Sequence, residues 1–154
     1  MASRHDMPDV RRDPYVISID PRRLDRRLIH DFLAHASYWA RDIPFEVVTH
    51  ALDHSLCFGL YDAAGQIGLA RVVTDYATFG YLADVFVLPA HRGRGLSKWL
   101  METVVAHPAL QGFRRFMLNT RDAHGLYRQT GFTALARPEW AMERFDPDVY
   151  QRRG

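Results

Sequence analysis

One stretch constrains this chain more than any other: Ala83-Asp84-Val85-Phe86-Val87-Leu88-Pro89-Ala90-His91-Arg92-Gly93-Arg94-Gly95-Leu96-Ser97-Lys98-Trp99-Leu100. An apolar run rich in β-branched residues ends at a proline, a basic turn with two glycines follows, and an amphipathic helix starts at once. That order aims several free backbone N–H groups of a helix N-terminus at one point in space, where an anion such as phosphate binds. The helix dipole adds about half a positive charge there. Gly93 and Gly95 let the backbone approach the anion with no Cβ in the way.

Spacing narrows the choice of phosphate ligand. A dinucleotide fold requires G-x-G-x-x-G, and Lys98 stands where the third glycine belongs. A nucleoside-triphosphate loop requires G-x-x-x-x-G-K-[ST], which neither glycine begins. Arg92-Gly93-Arg94-Gly95-Leu96-Ser97 instead resembles R-x-x-G-x-[GA], the acyl-CoA loop of the GNAT superfamily of N-acetyltransferases, with Ser97 in place of the usual Gly or Ala. A second block, Ala123-His124-Gly125-Leu126-Tyr127-Arg128-Gln129-Thr130-Gly131-Phe132, is similar to the A-x-x-L-Y-x-x-x-G-F signature of the same family, and it follows the buried strand Phe116-Met117-Leu118-Asn119. The two blocks stand one helix and one strand apart, as in that family.

Composition sets the outer limits. At 154 residues with 47% hydrophobic side chains, the chain is expected to form one domain over residues 14–154 behind a mobile start at 1–13. The formal charge of +2, from 20 basic and 18 acidic residues, argues against a broad nucleic-acid surface. Cys57 is the one cysteine, so no intrachain disulfide forms, which fits a reducing compartment. Its setting, Leu56-Cys57-Phe58, reads as a buried strand rather than a reactive thiol. No run spans a bilayer and the polar start has no apolar core of a signal peptide, so a cytoplasmic location is expected.

Periodicity supplies the elements. Tyr15–Ser18 reads as the first strand. Asp20-Pro21 reads as a helix start, with Leu24, Leu28, Ile29, Phe32 and Leu33 as its apolar stripe. Residues 37–42 read as a loop, and Pro44 opens a second helix with Phe45, Val48 and Leu52 inward. Strands are expected at 56–61, 66–74 and 78–88, then a helix carrying Leu96, Trp99, Leu100, Thr103 and Val104 and ending at Pro108. A strand at 116–119, a short helix, and two last strands near 133–135 and 140–143 complete a mixed α/β order. The resemblance implies the GNAT fold: a mostly antiparallel sheet of about seven strands flanked by about four helices.

The resemblance also implies roles. Backbone groups of Val85, Phe86 and Val87 would pair with the pantetheine arm of acetyl-CoA. Arg92, Gly93, Arg94, Gly95, Leu96 and Ser97 would hold its phosphates, and Asn119 would contact the arm. Tyr127 would face the sulfur as general acid, since a phenol with pKa ~10 keeps its proton at neutral pH. Tyr38, Trp39, Tyr76 and Phe79 would line the acceptor site, where aromatic walls suit an apolar amine or a lysine stem. Two further anions, Asp75 and Asp122, sit at turns from which they could attract a cationic amine.

Asp84 is the one charge in its strand. Strict alternation puts it on one face with Leu82 and Phe86, where burial would make it a base. An ion pair with Arg71 or Arg121 is the other reading. His91 and His124 flank the loop and the second block and offer alternative bases. His50 and His54 stand at helical i, i+4 spacing, yet no third ligand accompanies them, and no metal site is expected.

The resemblance thus implies an acetyl-CoA-dependent N-acetyltransferase acting by direct attack of an amine, with no metal and no covalent enzyme intermediate. The acceptor is a small molecule, or a peptide or protein amine. An enclosed site roofed by Tyr38 and Trp39 would favour the small molecule. A CoA-binding regulatory module without turnover is the alternative. Neither a nucleic acid nor a membrane is an expected partner. Dimers are frequent in the family, which allows a homodimer here.

Overall fold

The computed structural model describes residues 7–153. Six strands form one sheet in the order β1-β2-β3-β4-β5-β6, namely Val10–Arg12, Tyr15–Ser18, Leu56–Asp62, Gly65–Thr74, Phe79–Val87 and Arg115–Leu118. Neighbours run antiparallel except β5 and β6, which are parallel. The β5–β6 pairing runs from Phe79 opposite Arg115 to Leu82 opposite Leu118 and stops there. Beyond Leu82, β5 keeps β4 on one side and has no strand on the other. That free edge positions the site described below.

Helices cover both faces. Helix α3 (Leu96–Ala106) lies on one, burying Leu96, Trp99, Leu100, Met101 and Val104 against Phe58, Leu60, Val72, Leu82 and Val87. Fully burying each such side chain contributes about 1.5–3 kcal/mol. Helices α1 (Arg26–Asp31) and α2 (Phe45–Asp53) lie on the other, enclosing Ile29, Phe32, Leu33, Val48 and Leu52 with Cys57, Leu69 and Phe86. Asp20 caps a short 3-10 turn at Pro21–Arg23 rather than the helix expected there. Asp25 supplies the actual cap, accepting from the Leu28 N–H. After α1 the chain widens into a π-type turn over Phe32–Ala36. The loop of residues 37–42 follows, and Pro44 opens α2 as its pattern predicts.

The two chain ends depart from expectation. Val10–Arg12, placed by sequence in a mobile start, forms β1 and pairs antiparallel with β2. Residues 1–6 of that start lie outside the described residues. At the other end, no strand forms at 133–135 or 140–143. Pro138 starts a 3-10 turn over Pro138–Trp140, and every residue from 133 to 148 is exposed. The apolar character of these segments is real, but they meet no sheet edge within the described residues. A short helix α5 (Val149–Arg153), not anticipated from sequence, returns the chain to the body. Tyr150 packs on the α1–α2 core, and Gln151 donates to Asp42. Among the described residues there are six strands and five α-helices, where about seven and four are expected from sequence.

Candidate active site

The loop after β5 has the form its sequence requires. A 3-10 turn at Pro89–His91 leads into Gly93 and Gly95, with φ of 80° and 73°. These left-handed conformations favour glycine. A Cβ added at either would meet nothing within 4 Å, so the loop's outer surface is open. Gly95 is the N-cap of α3, and no side chain caps the helix. The first backbone N–H to bond within α3 is that of Trp99, to Gly95 O. No hydrogen bond from the amides of Gly93 to Lys98 to a protein acceptor is found among the described residues. Arg92 folds back, its Nε donating to Val87 O at 2.9 Å, and Arg94 donates to the Tyr15 hydroxyl at 2.5 Å. His91 lies 3.6 Å from Asp62, tying the loop to β3.

A bulge in β5 sets the next part. Leu69 pairs with Phe86 but Arg71 pairs with Ala83, so β5 carries an extra residue there. Asp84 has φ 54°. The extra residue inverts the alternation. Leu82 and Val87 face α3, whereas Phe86 faces α1 and α2. Asp84 therefore does not share a face with both Leu82 and Phe86, as strict alternation predicts. Its Oδ2 accepts from Arg71 Nε at 2.7 Å and its Oδ1 from Trp39 Nε1 at 2.8 Å. Arg71 also donates to Ser55 Oγ at 3.1 Å. Of the two readings open in sequence, the geometry favours the ion pair with Arg71.

These parts meet in one cleft of about 590 Å³. It runs from Arg92 and Ser97, past Val85, Phe86 and Val87, to Asn119 and Tyr127, and on to Asp84, Tyr38 and Trp39. Tyr127 sits in α4 (His124–Arg128), and Gly131, with φ 97°, turns the chain so that Phe132 packs edge-on against its ring. Burial, reinforced by nearby Tyr38 and Asp122, pushes the Tyr127 phenol up to about 12. The Tyr38 hydroxyl accepts from the Arg121 N–H at 2.9 Å, and the Arg121 guanidinium stacks 3.9 Å from the Tyr38 ring. This contact bridges the two loops over the cleft. Asn119 Nδ2 donates to Tyr81 Oη at 3.0 Å. A smaller chamber of about 250 Å³ shares Trp39, Tyr81 and Asp84 with the cleft and extends to Ile43, Val47 and Tyr150.

Not every candidate comes to this place. Tyr76 and Phe79 line neither cavity. They lie at or before the opposite end of β5, and five residue steps along the strand separate Phe79 from Asp84 by roughly 16 Å. Tyr76 packs instead on the α3 core. Asp75 is consumed by its own turn: the Thr78 hydroxyl and the amides of Thr78, Ala77 and Phe79 hold its carboxyl well below the usual carboxylate range. Gly93, Arg94, Gly95 and Leu96 flank the cleft at the loop without lining it. His124 begins α4 outside the lining, and Cys57 is buried, its thiol pushed up to about 12 by burial. His50 and His54 stack at 4.4 Å, and no group of three metal-ligating side chains exists among the described residues.

Sequence reasoning overlooked Tyr81, Phe32 and Tyr150. Tyr81 had a readable signal, a polar aromatic in the same strand as Asp84. The other two owe their place to the π-type turn and to the returning α5.

Fold and cleft together set the first turn of α3, at Ser97, and the half-buried Tyr127 on one cleft of a mixed α/β sheet domain. The chain matches the acetyltransferase (GNAT) domain over residues 53–134. It belongs to that family. It is 37% identical over 138 residues to a provisionally named acetyltransferase of Gibberella zeae, spanning 75% of this chain and 77% of that one. A GNAT-family crystal structure from Xanthomonas campestris pv. campestris, also provisionally named an acetyltransferase, is 55% identical. It superposes with a TM-score of 0.86 over 88% of this chain and 96% of that one. A Deinococcus radiodurans R1 structure with a similar provisional name aligns with a TM-score of 0.70 at 17% identity, over 88% and 91% of the two chains. At that identity the likeness concerns the fold. No helix among the described residues is long and apolar enough to cross a membrane.

Proposed function

We propose that this acetyltransferase is an N-acetyltransferase that takes its acyl group from acetyl-CoA and passes it directly to a small amine. One observation carries the reading. One cleft runs from Arg92 and Ser97, beside the start of α3, along the part of β5 that β6 does not pair, past Tyr127 to Trp39, Tyr81 and Asp84, which also wall the smaller chamber. The residues fit the co-substrate. The glycine loop leaves space that a Cβ at Gly93 or Gly95 would occupy, which suits a diphosphate, and Arg92 and Ser97 flank it. Val85, Phe86 and Val87 offer backbone groups at a strand edge that β6 does not reach, although Val87 O already accepts from Arg92. Bound acetyl-CoA would supply the activated acyl carbon.

The chain's own groups do the rest. Tyr127 Oη holds a proton that the departing sulfur requires, and its upward shift keeps that proton in place at neutral pH. Asp84, fixed by Arg71 and Trp39, orients the amine with a directed negative charge. Tyr38 and Arg121, joined by a hydrogen bond on the cleft wall, narrow the acceptor end, which supports a small acceptor over a peptide. The amine attacks as the free base, its proton passing to water in the open part of the cleft.

Calorimetry with acetyl-CoA followed by a thiol-release assay over a panel of amines tests this. Micromolar binding with thiol release on one class of small amine is expected. Binding without release on any amine supports the regulatory-module alternative, and no binding at all overturns the co-substrate assignment.

A further inference from the structure

The smaller chamber beside the cleft bears on what an acceptor carries besides its amine. Trp39, Tyr81 and Asp84 line both spaces and form the chamber's mouth. Past that mouth the walls turn aliphatic. Leu33, Ile43, Val47 and Leu52 line the chamber and not the cleft. Leu33, Ile43 and Leu52 are buried in the core under α1 and α2, so these walls are fixed. Tyr150 completes the enclosure from α5. It lines the chamber alone and packs on the same core, and the neighbouring Gln151 ties α5 to Asp42 at 3.2 Å.

Charge divides in the same way. Asp84 and Arg71 are the charged residues on the chamber wall, and they are paired with each other at 2.7 Å. Each Asp84 oxygen accepts one hydrogen bond, from Arg71 or from Trp39, which leaves lone pairs for an amine at the mouth. A second charge carried past Asp84 would meet no unpaired counter-charge on the lining. A cavity of about 150 Å³ with aliphatic and aromatic walls holds a benzene ring, so one of about 250 Å³ admits a ring or a chain of roughly six carbons.

We propose that the acceptor is a primary amine whose other end is an uncharged apolar group of about six carbons seated in this chamber, and that Tyr150 sets the length of that group. This rests on the proposed acyl transfer to a small amine and names the class of amine. An amino acid would place its carboxylate beside Asp84, and a diamine would strand an ammonium among aliphatic walls.

Thiol release from acetyl-CoA over straight-chain primary amines, propylamine to decylamine, tests the assignment. The value of kcat/KM should rise about fourfold per methylene, as burial of each one implies, to an optimum near hexylamine, and fall beyond it. Cadaverine and norleucine add an ammonium or a carboxylate to a pentylamine chain, and should be about a hundredfold poorer than pentylamine. Tyr150→Ala should move the optimum about two carbons longer, Tyr150→Phe should leave it in place, and Val47→Phe, which fills the chamber from α2, should move it shorter. A merely structural role for these residues would lower the rates on all amines alike. An optimum that stays put in both Tyr150→Ala and Val47→Phe, each with the parent's far-UV circular dichroism, overturns the proposal. So do best rates on diamines or amino acids, or rates indifferent to chain length, and these outcomes leave acetyl transfer standing. Calorimetry with hexylamine in the presence of CoA separates the two readings from the other side. Binding that Val47→Phe abolishes, without thiol release from any amine, refutes the transfer reading, whereas hexylamine that does not bind refutes the apolar seat.

Discussion

Replacing Asp84 probes both the bulge and the site. The Asp84 and Arg71 side chains are 10% and 17% exposed and meet at 2.7 Å. Breaking a buried pair by removing one partner costs about 3–5 kcal/mol, because the remaining charge stays desolvated. Here Arg71 retains Ser55 Oγ and is partly exposed, so Asp84→Asn should cost about 2–3 kcal/mol, at or below the low end of that range. Asparagine tolerates the φ of 54°. Alanine does not, so Asp84→Ala should lose about 1 kcal/mol more. Glycine removes the carboxylate but relieves the backbone, so Asp84→Gly should be more stable than Asp84→Ala, the reverse of the usual order within regular structure. Urea denaturation of the three variants measures these differences directly. For catalysis, Asp84→Asn should raise KM for the amine and lower kcat by less than about tenfold, as expected of a group that orients rather than exchanges a proton. Two results would refute this reasoning: alanine at least as stable as glycine, or a hundredfold loss of kcat with an unchanged urea midpoint. The second would make Asp84 the base.

Other perturbations test the remaining parts. Tyr127→Phe should lower kcat by about 10²-fold or more with little change in KM for acetyl-CoA, measured by thiol release. Because the phenol is shifted up to about 12, the parent's kcat should show no basic limb from this group through neutral and mildly alkaline pH. Tyr61 is also pushed up to about 12 by burial. Both phenols ionise near 10 in the unfolded chain, so the stability they confer is intact below about pH 10 and is lost as pH rises towards 12. The urea midpoint should fall across that window, and less steeply in Tyr61→Phe. The Tyr61 hydroxyl is buried without a hydrogen-bond partner, so at neutral pH Tyr61→Phe should be neutral or stabilising by about 1 kcal/mol in urea melts. Gly95→Ala, at φ 73°, should cost about 1 kcal/mol and raise KM for acetyl-CoA with kcat unchanged.

What the sequence made legible follows from how local each signal is. The loop of Arg92 to Ser97 and the α4 turn at Gly131 depend on glycines at positive φ, a requirement a short motif carries by itself. The core stripes of α2 and α3 depend on period alone, and Val48, Leu52, Trp99 and Leu100 are buried where it puts them, whereas Phe45, expected inward at the first turn of α2, is exposed and stacks edge-on with His30. Asp84 was misplaced because alternation assumes an unbroken ladder, and a bulge is a property of two strands, set by Ala70 having to meet more than one residue of β5. Tyr76 and Phe79 stand near Asp84 along the chain, but an extended strand carries them to the far end of β5, away from the cleft. The strands expected at 133–135 and 140–143 have the right composition. Strand formation, however, needs a partner edge, and the chain's own topology brings none to them.

The same bulge explains why fold and site coincide. Without the extra residue, β5 would present its carboxylate among the aliphatic side chains packed by α3, where no counter-charge waits. With it, Asp84 turns to Arg71 and Trp39 on the acceptor side, while Val85 and Val87 stay on the α3 side beside the loop. β6 stops at Leu118, opposite Leu82, two residues before Asp84. The edge of β5 therefore comes free where its twist changes, and the α3 amides open just past its end. One added residue thus aligns three features of the proposed site: a carboxylate in the cleft, an unpaired strand edge, and a glycine loop at a helix start. A deletion that restores regular alternation at Asp84 should abolish this alignment while leaving most of the sheet pairing intact. The measurable consequence is a folded protein that loses both amine acetylation and acetyl-CoA binding together, rather than one of the two.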